Sequence, residues 1–166
     1  MTKILFKGNP IETNGSLPAL GSKAIDFQLV AKDLTVKTLA DFQGRKVILN
    51  IFPSIDTGTC ATSVRTFNQK AAELGISVLC ISRDLPFAQN RFCGAEGIEH
   101  VHTMSDFKSG KFGKDYGLEM LNGPLAGLHA RCVIVLDENQ DIIYSELVPE
   151  IVNEPNYELA LAALNA

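Results

Sequence analysis

Val47-Ile48-Leu49-Asn50-Ile51-Phe52-Pro53-Ser54-Ile55-Asp56-Thr57-Gly58-Thr59-Cys60 is the stretch that decides how this chain folds. Residues 47–52 form an apolar run of the kind found in a strand buried on both faces. Pro53 ends that run, and a helix-like stretch follows over about residues 57–74, with Gly75 in the position of a C-terminal cap. Cys60 therefore lands in the first turn of a helix. Unpaired backbone N–H groups and the positive end of the helix dipole favour an anion there. The anion that a cysteine offers is the thiolate, its nucleophilic form.

Outward from this centre the pattern is regular. Upstream, residues 4–6 and 11–13 read as a small hairpin around the turn Gly8-Asn9-Pro10, and residues 27–31 and 35–39 as a second strand pair around Lys32-Asp33. Downstream come a buried strand at 76–81, a helix from Pro86 to about 95, and a short strand at 101–104. A short helix at 111–116, a hairpin of 131–136 with 142–147, and a terminal helix at about 156–164 complete the chain. Strand-helix-strand units followed by a hairpin and a helix predict an α/β chain: a central mixed β-sheet flanked by helices. That layout is a thioredoxin-like fold with an N-terminal β-hairpin extension. Without repeats, low-complexity tracts or linkers, residues 1–166 are expected to form a single domain.

Composition narrows the partners. Hydrophobic residues make up 46% and charged residues 20%, ordinary for a globular protein. A net charge of -4 argues against nucleic acid or an anionic membrane as main partner, because both reward a basic face. No signal peptide and no run long enough to span a membrane are visible, so the expected location is cytoplasmic. In a reducing compartment, cysteines are more often catalytic than stapled into lasting disulfides. The four are Cys60, Cys80, Cys93 and Cys132, and no C-x-x-C occurs among them. Its absence disfavours a zinc ribbon or a thioredoxin-type dithiol.

The residues around Cys60 suit attack on a peroxide. The second peroxide oxygen leaves with negative charge and needs hydrogen-bond donors. Thr57, three residues before Cys60, offers a hydroxyl, and the Cys60 backbone N–H offers another donor. Pro53 shields the sulfur from water and stiffens the loop. Arg131 is the candidate permanent cation, because in this layout its strand begins beside the loop carrying Cys60.

Residues 53–60 match the Pro-x-x-x-Thr-x-x-Cys signature of peroxiredoxins. The longer string Pro53-Ser54-Ile55-Asp56-Thr57-x-x-Cys60-Ala61-Thr62-Ser63-Val64 resembles the thiol peroxidase branch, the atypical two-cysteine peroxiredoxins of bacteria. Matches continue in order through Val78-Leu79-Cys80-Ile81-Ser82, Asp84-Leu85-Pro86-Phe87-Ala88-Gln89, Arg91-Phe92-Cys93-Gly94-Ala95-Glu96-Gly97, Gly123-Pro124-Leu125-x-Gly127-Leu128 and Ala130-Arg131. The resemblance covers nearly the whole chain. It implies that Cys60 is the peroxidatic cysteine and Cys93 the resolving one, joined in turn as an intrachain disulfide. Pro53, Thr57 and Arg131 are the supporting residues it implies. It also implies a homodimer, no metal or organic cofactor, hydroperoxides (alkyl ones above all) as substrate, and thioredoxin as reductant. Cys132, where the family pattern leads one to expect a small apolar residue, is a departure.

Plainer readings stand beside these. Cys60 alone is equally a small buried residue at a helix start, Cys93 a core residue of its helix, and Arg131 an ordinary ion-pair arginine. Cys80 and Cys132 read as strand core, with Cys132 on the face opposite Arg131. His100, His102 and His129 lack ligand spacing and read as surface or loop histidines. The competing functions are a general disulfide oxidoreductase and a non-enzymatic redox sensor using the same cysteine pair.

Overall fold

The computed structural model describes residues 1–165. A seven-stranded sheet runs in the order β4-β3-β7-β6-β5-β8-β9. Its strands are β3 (Leu29–Ala31), β4 (Val36–Lys37), β5 (Val47–Ile51), β6 (Ser77–Ser82), β7 (His102–Ser105), β8 (Cys132–Leu136) and β9 (Ile142–Leu147). β5, β6 and β7 are parallel, whereas β8 and β9 close one side antiparallel and β3 the other. β5 and β8 are buried along their whole length, as their apolar runs predict. The expected mixed sheet is therefore present.

The two faces bury separate cores. On one face α1 (Gly58–Leu74), α2 (Pro86–Glu96) and α4 (Tyr157–Ala163) cover Ile48, Val78, Cys80, Val133 and Val135. On the other, α3 (Lys111–Asp115) and a 3-10 turn (Leu39–Phe42) cover Leu49, Leu79, Cys132 and Ile134 together with the N-terminal hairpin. Helix α1 buries Cys60, Ala61, Val64, Phe67 and Ala71, a stripe at three- and four-residue spacing. Gly75 closes it in the left-handed conformation at φ 65°, its N–H bonded to Ala71 O. Helix α2 is weaker by construction: only Pro86 and Gln89 are fully buried, and Gly94 lies inside it.

Some boundaries differ from the sequence expectation. The hairpin is β1 (Lys3–Phe6) paired with β2 (Asn9–Glu12), so Asn9 and Pro10 lie in a strand and not in the turn. The turn is Lys7-Gly8, with both residues at positive φ, the two-residue geometry that matches strand twist. The second strand pair is shorter than 27–31 and 35–39. Asp26 Oδ1 accepts from the backbone N–H of Phe27 and Leu39, drawing both out of the ladder. Arg131 stands just before β8 rather than as its first residue. No helix among the described residues is long and apolar enough to cross a membrane.

His129 corrects the surface reading. It is fully buried, with Nε2 2.9 Å from Asp106 Oδ2. The same carboxylate accepts from the N–H of Gly113 at 3.1 Å, which fixes α3 against the ring. A Cβ on Gly113 would stand 2.6 Å from His129 Cδ2. Gly113→Ala is accordingly expected to cost about 1–3 kcal/mol, the usual range for overpacking, read from the urea midpoint. An unchanged midpoint would mean that the imidazole moves aside freely.

Candidate active site

The antiparallel pairing of Ile51 with Cys132 brings the start of β8 beside the end of β5. Arg131 thereby faces the loop 53–57 that leads into α1. Its guanidinium is only 2% exposed and spans two acceptors. Nε donates to Ile151 O at 2.8 Å, and Nη1 donates to Cys60 Sγ at 3.4 Å. Cys60 is fully buried. The first helical hydrogen bond of α1 is Ala61 N–H to Thr57 O. The N–H groups of Gly58, Thr59 and Cys60 thus precede the helical ladder and are the donors of its positive end. Arg131, Cys60 and the helix N-terminus come together as expected.

Pro53 is buried and walls the loop. Thr57 is the extended N-cap of α1 and is exposed, but its side chain does not cap the helix. Its Oγ1 donates to Ser54 O at 3.1 Å. One local hydrogen bond must break before that hydroxyl can donate to a substrate. Deeper in α1, Ser63 Oγ donates to Cys60 O at 2.7 Å, and Asn50 Nδ2 donates to Ser63 Oγ at 3.2 Å and to Cys80 Sγ at 3.7 Å. Helix and sheet are thus joined one turn beyond the Cys60 sulfur.

The segment that holds Arg131 was not legible in the sequence. Leu5 N–H donates to Pro149 O and Ile151 N–H donates to Leu5 O, so the N-terminal hairpin pins residues 149–151. Glu150 accepts from the N–H of Lys7 at 2.9 Å and of Gly8 at 3.0 Å, and those bonds lower its pKa. Thr59 Oγ1 donates to Val152 O at 3.0 Å, tying α1 to the same segment. Most of these acceptors are backbone carbonyls, which leave no mark in side-chain identity.

Cys93 sits elsewhere. It is half-buried on α2, and burial pushes its thiol pKa up, opposed by the charge of Lys32 and a hydrogen bond with Thr103. Thr103 on β7 pairs with Cys80 on β6, which pairs with Asn50 on β5. Cys93 therefore overlies a strand two places from the one under Ser63, roughly 10 Å across the sheet. A disulfide needs Cα atoms within roughly 7 Å. Both thiols are free here. The two helices are bridged by Arg65, which pairs with Glu96 at 2.9 Å and lies over the Phe92 ring. Cys80 and Cys132 are fully buried, as expected of core residues. Burial pushes the Cys80 pKa up to about 12 and raises that of Cys132 as well.

Comparison with known proteins gives a consistent picture. The family model described as Redoxin matches residues 19–161. The chain is 55% identical to the thiol peroxidases of Mycobacterium bovis and of Mycobacterium tuberculosis, over 100% of each chain. A crystal structure of a peroxiredoxin-like protein from Aquifex aeolicus superposes with a TM-score of 0.91 at 35% identity, covering 98% of this chain and 96% of that one.

The two-acceptor geometry of Arg131 requires a planar fork that an ammonium lacks. Arg131→Lys is expected to slow iodoacetamide alkylation of Cys60 about tenfold or more, the worth of one charged hydrogen bond, with the fold retained by circular dichroism. An alkylation rate equal to wild type would remove Arg131 from the site.

Proposed function

The chain belongs to the Redoxin family, and from that premise we propose how its residues reduce a hydroperoxide. It is a thiol peroxidase of the peroxiredoxin type, matching such enzymes along its whole length. Cys60 is the peroxidatic residue in this proposal, and the observation that carries it is the buried Arg131 guanidinium donating to the buried Cys60 sulfur at a helix N-terminus.

In the first step the Cys60 thiolate attacks one oxygen of the hydroperoxide ROOH. The S–O bond forms as the O–O bond breaks, leaving a sulfenic acid and RO⁻, which takes a proton to become the alcohol, or water from hydrogen peroxide. Arg131, the N–H groups of the first turn and, once released from Ser54, the Thr57 hydroxyl are donors for the charge building on the leaving oxygen. Arg131 does this without ever losing its own charge. Pro53 keeps water from the sulfur.

In the second step the Cys93 sulfur attacks the sulfenic sulfur, and the S–S bond forms as hydroxide leaves and becomes water. An external dithiol, with thioredoxin as the proposed reductant, then exchanges with the disulfide and restores both thiols. The separation across the sheet means that α1 and α2 must partly unwind between these steps. The exposed apolar side chains Leu85, Phe87, Leu121 and Val152 support the further proposal of a homodimer in which a second copy covers them.

One equivalent of cumene hydroperoxide added to the reduced protein, followed by thiol counting and disulfide mapping by mass, tests the scheme. The expected result is loss of two thiols per chain with a Cys60–Cys93 link, no turnover in Cys60→Ser, and a single unrecycled oxidation in Cys93→Ser. Survival of all four thiols in excess peroxide would overturn the proposal, and a link to another cysteine would remove Cys93 from the resolving role. Gly94 offers a second test, because a Cβ there meets nothing within 4 Å. Gly94→Ala stabilises a helix by about 0.5–1 kcal/mol. It is expected to slow disulfide formation about threefold while leaving the first oxidation unchanged, by stopped flow. Equal rates for disulfide formation would mean that α2 does not unwind.

A further inference from the structure

Asp84 lies in the connection from β6 to α2, and its carboxylate gathers three short hydrogen bonds. Oδ1 accepts from Ser54 Oγ at 2.7 Å, while Oδ2 accepts from the Ile55 N–H at 2.7 Å and from Ser82 Oγ at 2.6 Å. Ser54 and Ile55 belong to the loop that delivers Cys60. On the other side, Ser82 Oγ accepts from Gln89 Nε2 at 3.1 Å, and Gln89 is fully buried within α2. The same amide donates to Met104 O at 2.9 Å, anchoring the helix on β7. Pro86, the first residue of α2, follows Asp84 by two positions. One carboxylate thus holds the loop before Cys60 directly and, through Ser82, reaches Gln89 in the helix that carries Cys93.

Asp84 touches neither sulfur, so it acts through the segments that it holds. Bonds to an ionised acceptor are about twice as strong as neutral ones. The two to Ser54 and Ile55 exist only while the loop and the β6–α2 connection keep their present arrangement, which is the arrangement that faces Cys60 with Arg131. They must loosen if α1 and α2 come apart at their facing ends.

We propose that Asp84 is a positioning residue that latches the Cys60 loop to α2, favouring the peroxide-reacting arrangement and setting how fast the protein opens for Cys93. This rests on the roles of Cys60 and Cys93 proposed above. The latch has a kinetic signature that a general loss of stability lacks. Releasing it disorders the assembled site, which slows the first oxidation. It also removes a barrier to opening, which speeds the disulfide step. The two rates move in opposite directions.

The test follows both steps in a single run, by stopped flow and quenched-flow mass spectrometry with cumene hydroperoxide, on wild type, Asp84→Asn and Ser54→Ala. Asp84→Asn is expected to slow sulfenic acid formation about tenfold and to speed disulfide formation about threefold or more. Ser54→Ala removes one of the three bonds and should shift both rates with the same signs but less. Should Asp84→Asn fail to fold, Ser54→Ala decides alone. Both rates unchanged, or both slowed by a common factor, in the variants that fold would overturn the latch while the wild-type Cys60–Cys93 link still stood. A wild type that formed no such link would overturn the reading on which the latch depends.

Discussion

The contact on which the rest of this structure depends is the one between the Arg131 guanidinium and the Cys60 sulfur. A buried cation is costly unless it is paired and hydrogen-bonded. Here Nε donates to Ile151 O and Nη1 donates to Cys60 Sγ. The architecture is arranged around that need. Antiparallel β8 exists beside β5 so that Arg131 faces the loop, and the hairpin pins residues 149–151 so that a carbonyl waits for Nε.

The two cysteine helices are anchored to different degrees. Helix α1 must hold Cys60 at a defined N-terminus, and its stripe of buried side chains, Phe67 and Val64 among them, anchors it to the sheet beyond the first turn. Helix α2 holds Cys93 at a half-buried position. It is fully buried at Pro86 and Gln89 near its start, carries Gly94 beside the cysteine, and ends in Gly97 in the left-handed conformation. Its main bridge to α1 is the Arg65–Glu96 pair, roughly half-exposed and therefore weak. Burial thus anchors α1 along its length and α2 chiefly near its start.

Much of this was legible in the sequence because it rests on local periodicity. The run 47–52, the helix ended by Gly75 and the apolar strand after Arg131 each carry their structure in their own residues. Arg131 itself was reachable only through topology: its distance from Cys60 along the chain says nothing until β8 is laid against β5. What escaped the sequence depends on partners far along the chain. His129 reads as a loop histidine until Asp106 and Gly113 are seen around it, and Asp26 cuts short two strands through a bond to Leu39. The hairpin turn was misplaced for a different reason. Asn-Pro is a strong turn signal, but Lys7-Gly8 takes the positive φ that a two-residue connection needs, leaving Pro10 in an edge strand where its missing N–H is harmless.

The placement of the four cysteines completes the logic. A thiol must ionise to attack, and deep burial away from a cation keeps it protonated. Cys80 is held that way by burial on the same face as Cys60, where its sulfur accepts from Asn50 Nδ2. Cys132, although next to Arg131 in the chain, belongs to the core on the opposite face of the sheet. Strand alternation therefore puts a layer of backbone between it and the Cys60 sulfur. Cys93 alone is only half-buried and lies in reach of a lysine field. Of the three thiols other than Cys60, it is the one that is partly exposed. Burial and the two-residue period of a β-strand thus set Cys93 apart from Cys80 and Cys132.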